Sequence, residues 1–325
     1  MHWLTSQKSK LSTENKLKIY KTIIKPIWTY GIPLWGTAAM SHINKIEVIQ
    51  AKILRTIVNE PWYVRNEDIR RDLGMPTVKE KINVVYIGTL HPQHFDIAKL
   101  MLNHGKHVLC EKPLTMNLKQ TTELINLAKQ KKLFLMEGIW SRCFPIYETL
   151  KKEIESGSIG DVHQVLVSFG FRMPDVQRLN IKSLGGGTIL DLGVYGIQFA
   201  CLIFNNETPH TVQAAGCLNE EGVDQSVSTT FLYKGNRTAT IITHCLVDLP
   251  NEAYIIGTKG MIKVPNFWCP TTVELPSGKI NIPLPETEYK FNFINSVGFV
   301  YEANEVRNCI LAGTVYLYFT FIFYC

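Results

Sequence analysis

Three short apolar runs, set apart by two longer amphipathic stretches, constrain this chain more than any other feature. Asn83-Val84-Val85-Tyr86-Ile87-Gly88-Thr89, His107-Val108-Leu109-Cys110-Glu111 and Leu133-Phe134-Leu135-Met136-Glu137 are rich in β-branched and aromatic residues. Such runs, ended by turn residues, predict buried strands. Between them, His94 to His104 is stopped by Gly105, and Asn117 precedes a stretch to Lys132 with Leu124, Leu127 and Ala128 on one face. Both stretches predict helices, the second capped by Asn117. Connections of this length cannot close hairpins, so the strands run parallel with crossover helices. In an open sheet of this kind ligands bind beyond the carboxyl ends of the strands. The second strand ends there on Glu111-Lys112-Pro113.

The character changes on either side. Pro145 to Ser156 predicts a helix ended by Gly157, and strands are expected over 162–172, 212–216, 225–233, 237–247 and 253–256. A hairpin is expected at Lys234-Gly235-Asn236, and one helix, 187–204, interrupts the strands. Upstream, residues 10–80 predict helices. Ser12 and Thr13 precede Leu17, Tyr20, Ile23 and Ile24, and a second period runs from Ser41 through Ile57 to Pro61. A third helix is expected from Asn66 to Leu73, closed by Gly74 and Pro76.

Charge divides at the same place. Residues 1–80 hold 13 Lys/Arg against 7 Asp/Glu, while residues 81–325 hold 21 of each. That asymmetry marks a segment of separate origin or an interaction segment. A nucleic-acid partner needs a basic patch rather than a count, and none is expected. The eight cysteines show no C-x-x-C spacing, so no metal or redox motif is read. His91 and His94 lack a third ligand for a metal. The N-terminal residues contain no apolar run, which argues against a signal peptide and for a reduced cytoplasmic setting. Residues 309–325 form an apolar tail at the lower edge of a membrane-span length. Its run from Tyr316 to Tyr324 favours strand over helix, and a membrane partner is not expected.

Read alone, Glu111-Lys112-Pro113 is a short turn at a productive address. A lysine there can relay a proton or lower the pKa of a neighbour. The wider context is more specific. Segments 84–94, 105–113, 135–145, 185–198, 256–261, 267–270 and 301–303 closely resemble the Gfo/Idh/MocA oxidoreductases. The likeness spans about residues 81–312 and is strongest to the branch that oxidises trans-dihydrodiols or aldoses. It implies NADP as cofactor, with NAD as the alternative, a small diol or sugar as substrate, and a homodimer formed through the antiparallel sheet. It implies that Lys112 is the catalytic lysine, with Asp191 and Tyr195 in an Asp-x-Gly-x-Tyr motif facing the nicotinamide. Tyr195 would take the hydroxyl proton, and the Lys112 ammonium would lower its pKa; which of the two is the formal base stays open. Gly88, Thr89, His91, His94, Glu111, Lys112, Pro113, Trp140 and Arg142 are expected near the cofactor. Arg172 and Trp268, with Asp191 and Tyr195, are expected near the substrate. For His91 and His94, ordinary polar roles at a helix start are an equal alternative.

Residues 3–80 resemble the C-terminal part of a jockey-type mobile-element reverse transcriptase. The likeness is carried by Lys21 to Gly36 and Asn59 to Asn66, and includes none of that enzyme's catalytic carboxylates. The Gly-x-Gly-x-x-Gly loop that binds pyrophosphate at a helix N-terminus is absent upstream; the nearest glycine run is Gly185-Gly186-Gly187. The expected fold is therefore α/β plus α+β: a truncated Rossmann-type parallel sheet over 81–138, an antiparallel-sheet substrate and dimerisation domain over 139–308, an unrelated helical segment over 1–80, and the tail. Two functions follow as expectations: an NADP-dependent dehydrogenase, or a non-catalytic chimera of a mobile-element fragment and a truncated oxidoreductase.

Overall fold

A computed structural model describes residues 9–24, 40–61, 63–75, 84–288, 290–293 and 295–314. Three parallel strands, β1 (Val84–Ile87), β2 (His107–Glu111) and β3 (Leu135–Gly138), pair in the order β1-β2-β3. Because successive strand side chains alternate faces, the sheet has two separate cores. On one face, Val85, Ile87, Val108, Cys110 and Leu135 pack against the crossover helices. These helices are α4 (His94–Asn103), through Ala98 and Leu102, and α5 (Leu118–Lys131), through Leu124 and Ala128. Asn117 caps α5 by accepting from the Gln120 N–H at 3.0 Å. On the other face, Leu109, Phe134 and Met136 meet Val306 and Cys309. Those two residues belong to α9 (Phe299–Leu311), a helix absent from the sequence-based expectation, which runs through the expected boundary at residue 309.

The second half holds an eight-stranded sheet, ordered β11-β10-β9-β8-β4-β7-β6-β5. Its strands are β4 (Val162–Gly170), β5 (Thr211–Leu218), β6 (Asp224–Tyr233), β7 (Arg237–His244), β8 (Glu252–Gly257), β9 (Met261–Pro265), β10 (Thr272–Leu275) and β11 (Gly278–Asn281). The expected hairpin joins β6 and β7, with Tyr233 opposite Arg237. All pairings are antiparallel except the central β4–β7 pair, which is parallel. One face carries Val165, Val167, Phe169, Ile241 and Ile255 into the largest core. There they meet α6 (Pro145–Glu155), through Tyr147 and Leu150, and α8 (Val194–Ile203), through Phe199 and Ile203. A Cβ at Gly196 would come within 2.6 Å of Ile241 Cγ2; only glycine lets α8 lie this close to β7. The opposite face presents Gln164, Ser168, Thr230, Leu232, Thr240 and Ile242, all at least partly exposed.

Three N-terminal helices stand where the sequence places them: α1 (Thr13–Ile19, capped by Ser12), α2 (Met40–Val58) and α3 (Asn66–Asp72). They share a small core of Tyr20, Leu54, Ile57, Ile69 and Met75, and Ile46 of α2 packs against the α4–α5 core. The aromatic residues Trp28, Trp35 and Trp62 and the apolar run 316–324 lie outside the described residues. The one helical run among the described residues long and apolar enough to cross a membrane, Lys182–Ile203, is mostly buried in the second core.

Candidate active site

The carboxyl ends of β1 and β2 deliver Gly88-Thr89 and Glu111-Lys112 to one rim, and the Lys112–Pro113 peptide is cis. Opposite them, a π-helical turn, Ile189–Gly193, leads into α8 and carries Asp191. The Lys112 ammonium spans the gap, donating to the Asp191 carbonyl at 2.7 Å and to its Oδ1 at 2.8 Å. Arg178, on the short helix α7 (Gln177–Asn180), donates to the same Oδ1 at 2.7 Å. Burial alone would raise the Asp191 carboxyl, but Lys112 and Arg178 outweigh it and hold the group well below the usual carboxylate range. The cleft around these groups has a volume of about 510 Å³.

Gly88, Thr89, His91, His94, Glu111, Lys112 and Asp191, all named from the sequence, line this cleft. His91 Nδ1 faces the Gly185 carbonyl at 2.9 Å, so it carries the proton and donates. Its Nε2 then faces Asp191 Oδ1 at 3.9 Å. Burial, ahead of the nearby Lys112 charge, pulls His91 down to about 4. The imidazole is thus neutral at pH 7, and the His91–Asp191 approach is not an ion pair there. His94 is fully buried between two carbonyls, Pro113 at 2.8 Å and Thr89 at 3.0 Å, and so ties the two loops together. Glu111 accepts from Tyr86 Oη at 2.7 Å and from the Lys112 N–H at 3.3 Å.

Tyr195 departs from expectation. Its ring lies 5.2 Å from Lys112 Nζ, but the ammonium sits over the ring face and is engaged by Asp191. Burial, then the Glu111, Asp191 and Glu302 carboxylates, push the phenol well above its ordinary value, opposed by the Trp140 side chain. The net shift of Tyr195 is upward, opposite to the lowering expected from Lys112.

Five other expected residues do not line the cleft, and one of them, Pro113, is buried. Arg142 is buried in the second domain, where its Nε donates to Gln198 Oε1 at 2.6 Å. A guanidinium removed from water needs such a partner, and this one turns it away from the cleft. Arg172 is exposed, with its backbone N–H bound to Asp248 Oδ1 at 3.0 Å. Trp140 is buried between Phe299, stacked at 4.4 Å, and Phe144 at 5.3 Å. Trp268 packs on Phe169 at 4.7 Å and on Phe171 at 5.4 Å. Sequence reasoning in turn missed Arg178, Glu137 and Glu302. Arg178 sits on a four-residue helix too short to show a period. Glu137 accepts from the Leu114 N–H at 2.8 Å and is pushed up to about 7 by burial. Glu302 reaches in from α9 and is only 2% exposed. The excess of acid at this strand end was visible in Glu111 and Glu137, but not its convergence with Glu302.

The comparisons agree with this architecture. Residues 63–139 match the oxidoreductase family with an NAD-binding Rossmann fold, and the match begins upstream of the boundary expected at 81. Residues 147–263 match the GFO/IDH/MocA C-terminal domain. The chain is 43% identical over 288 residues to trans-1,2-dihydrobenzene-1,2-diol dehydrogenase of Xenopus tropicalis, covering 87% of this chain and 86% of that protein. It is 37% identical over 282 residues to the Homo sapiens protein of the same name, covering 85% and 84%. In fold it is similar to aldose-aldose oxidoreductase from Caulobacter crescentus, with TM-score 0.61 and 22% identity over 76% of this chain and 78% of that one. A 3-ketoreductase from Actinomadura kijaniata in complex with NADP gives TM-score 0.60 and 21% identity over the same shares. With two family models matched in succession and relatives 37–43% identical over more than four fifths of the chain, the chain belongs to the Gfo/Idh/MocA family of oxidoreductases.

Proposed function

We propose that the chain moves a hydride between a nicotinamide cofactor and the carbinol carbon of a small vicinal diol. The substrate is a trans-dihydrodiol, giving a catechol, or an aldose such as D-xylose, giving a lactone. The observation that carries this reading is Lys112, held at the carboxyl edge of the parallel sheet by Asp191, with the Tyr195 ring beneath its ammonium.

The residues fit the nicotinamide end of NADP. Thr89 Oγ1 is buried without a hydrogen-bond partner, and a Cβ at Gly88 would come within 2.9 Å of the Tyr86 ring, which keeps the loop beside it bare. Gly88, Thr89, His91 and His94 would hold that end, with Glu111, Lys112 and Pro113 below. When bound, the nicotinamide supplies the hydride acceptor or donor. Lys112 binds the reacting oxygen through its ammonium, and Asp191 orients Lys112. Tyr195 keeps its proton at neutral pH, so it donates in the carbonyl-reducing direction and accepts only as pH rises in the oxidising direction. The open face of the eight-stranded sheet, with Leu232 and Ile242, is the surface for a second copy.

A second reading, the non-catalytic chimera, is favoured by the phosphate end. Gly186 is closed off by the Leu179 carbonyl and Gly187 by the Asp224 carboxylate, so this glycine run is not a phosphate cradle. Several charge-assisted amide bonds, each about 1.5–3 kcal/mol, are then missing from cofactor binding. On this reading residues 3–80 derive from a reverse transcriptase. A fluorescence titration with NADPH decides between them. Saturable binding, with turnover that falls about 10²- to 10⁴-fold in Lys112→Ala, supports the dehydrogenase. Absence of binding to the folded chain supports the chimera.

A further inference from the structure

The triple glycine and α7 form one unit whose product is the placement of Arg178. The Gly187 N–H donates to the Leu179 carbonyl at 3.0 Å, and the Gly186 N–H to the Ile181 carbonyl at 3.2 Å. A Cβ at Gly186 would stand 2.6 Å from the Leu179 oxygen. The glycine run therefore folds directly beneath α7. From above, Asn180 Nδ2 donates to the Pro174 carbonyl at 2.7 Å and Asn219 Nδ2 to the Asn180 carbonyl at 2.9 Å. Leu179, 1% exposed, pins the turn in the interior. A four-residue helix held on every side in this way is a rigid mount.

The group it presents is charged and faces the cleft. Arg178 lines it, its side chain is 43% exposed, and its contact with Asp191 Oδ1 engages one of the five guanidinium N–H donors. Lys112 Nζ lies against the same oxygen at 2.8 Å. The two cationic donors are therefore neighbours, one on each side of a single carboxylate oxygen. An oxygen at Lys112 and a second oxygen on the adjacent carbon can be met by these two donors at once. A guanidinium fork suits the second role because its donors are fixed in one plane.

We propose that Arg178 is the specificity-determining residue of this cleft: it binds the second, non-reacting hydroxyl of a vicinal diol whose first hydroxyl lies at Lys112. This rests on the dehydrogenase reading for the identity of the reacting hydroxyl. Both substrates proposed above, a trans-dihydrodiol and an aldose, carry a hydroxyl next to the reacting carbon and so present an oxygen to each donor.

The test compares D-xylose with 2-deoxy-D-xylose, which lacks only that neighbouring hydroxyl, on the full chain, Arg178→Gln and Arg178→Lys. Binding is read by calorimetry and, with NADP, turnover by kcat/KM. Thermal unfolding checks that both variants fold. The unaltered chain is expected to prefer D-xylose by roughly 10- to 100-fold, the span of a hydrogen bond to a charged group. Arg178→Gln reduces that preference to within about threefold, mainly through KM, and Arg178→Lys restores part of it. Equal preference in the chain and in Arg178→Gln overturns the proposal, as does failure of the unaltered chain to bind D-xylose or to discriminate. Lost NADPH binding with the D-xylose preference intact and dependent on Arg178 would sink the dehydrogenase reading and keep this one. Normal turnover with an unchanged preference does the reverse.

Discussion

Asp191→Asn tests the central ion pair. The carboxylate is 4% exposed and accepts from Lys112 at 2.8 Å and Arg178 at 2.7 Å. Asparagine keeps the shape and removes the charge, which leaves the Lys112 ammonium, 14% exposed, without its counter-ion. Breaking a buried pair in this way costs about 3–5 kcal/mol. Arg178 is 43% exposed and returns to water, so its share is discounted to about 0–1 kcal/mol. The expected loss is therefore near the lower end, about 3 kcal/mol at pH 7, or a fall in Tm of about 6–12 °C at 2–4 °C per kcal/mol. The effect has a sign in pH. Asp191 titrates lower in the folded chain than the ordinary value of about 3.9. Its contribution is present above that value and is lost as pH falls toward the folded one. Asparagine does not titrate, so the gap between the two proteins narrows by about 1 kcal/mol on going from pH 7 to pH 3. Chemical denaturation at a series of pH values reads both quantities. A gap under about 1 kcal/mol at pH 7, or one that stays constant to pH 3, refutes the reasoning, and Arg178→Gln serves as the control with a small loss.

Two further predictions rest on single residues. Gly186→Ala drives a methyl against the Leu179 and Ile181 carbonyls, at 2.6 and 3.0 Å, and backbone cannot swing aside; a loss of about 1–3 kcal/mol is expected in denaturant melts, and an unchanged midpoint contradicts it. Burial and then the Glu111 charge raise the Glu302 carboxyl well above its ordinary value, so it costs the folded chain stability as pH rises past that ordinary value. Glu302→Gln removes that cost and is expected to stabilise the chain by about 1–2 kcal/mol at pH 7, with the difference shrinking toward pH 4; a variant less stable than the parent at pH 7 is the opposite result.

Much of the cleft was legible because its residues follow strand ends. Gly88, Thr89, Glu111 and Lys112 sit where the apolar runs β1 and β2 stop, and a strand end is a sequence feature. Arg142 and Arg172 were misplaced for the complementary reason. Each follows or ends a readable element, but whether a long side chain turns inward to Gln198 or outward to solvent depends on partners far away in sequence. Tyr195 was placed correctly on its helix, but its phenol is raised, chiefly by burial, where a lowering was expected. The strands β9 to β11 escaped notice because runs of four or five residues leave weak periodicity; the 13-residue helix α9 was not read from the sequence at all.

By itself, then, the sequence determined what local order can encode: the alternation of β1, α4, β2, α5 and β3, the Asn117 cap, the β6–β7 hairpin and the lysine at a sheet edge. Each depends on residues within one turn or one strand of each other. Only the tertiary structure decided that three glycines are a base for Arg178 rather than a cradle for phosphate, that α9 closes the second face of the parallel sheet, and that Lys112 belongs to Asp191. Those outcomes are settled by burial and by charge pairing across scores of residues, where the balance between desolvation and a counter-ion depends on distance in space and leaves no period in the chain.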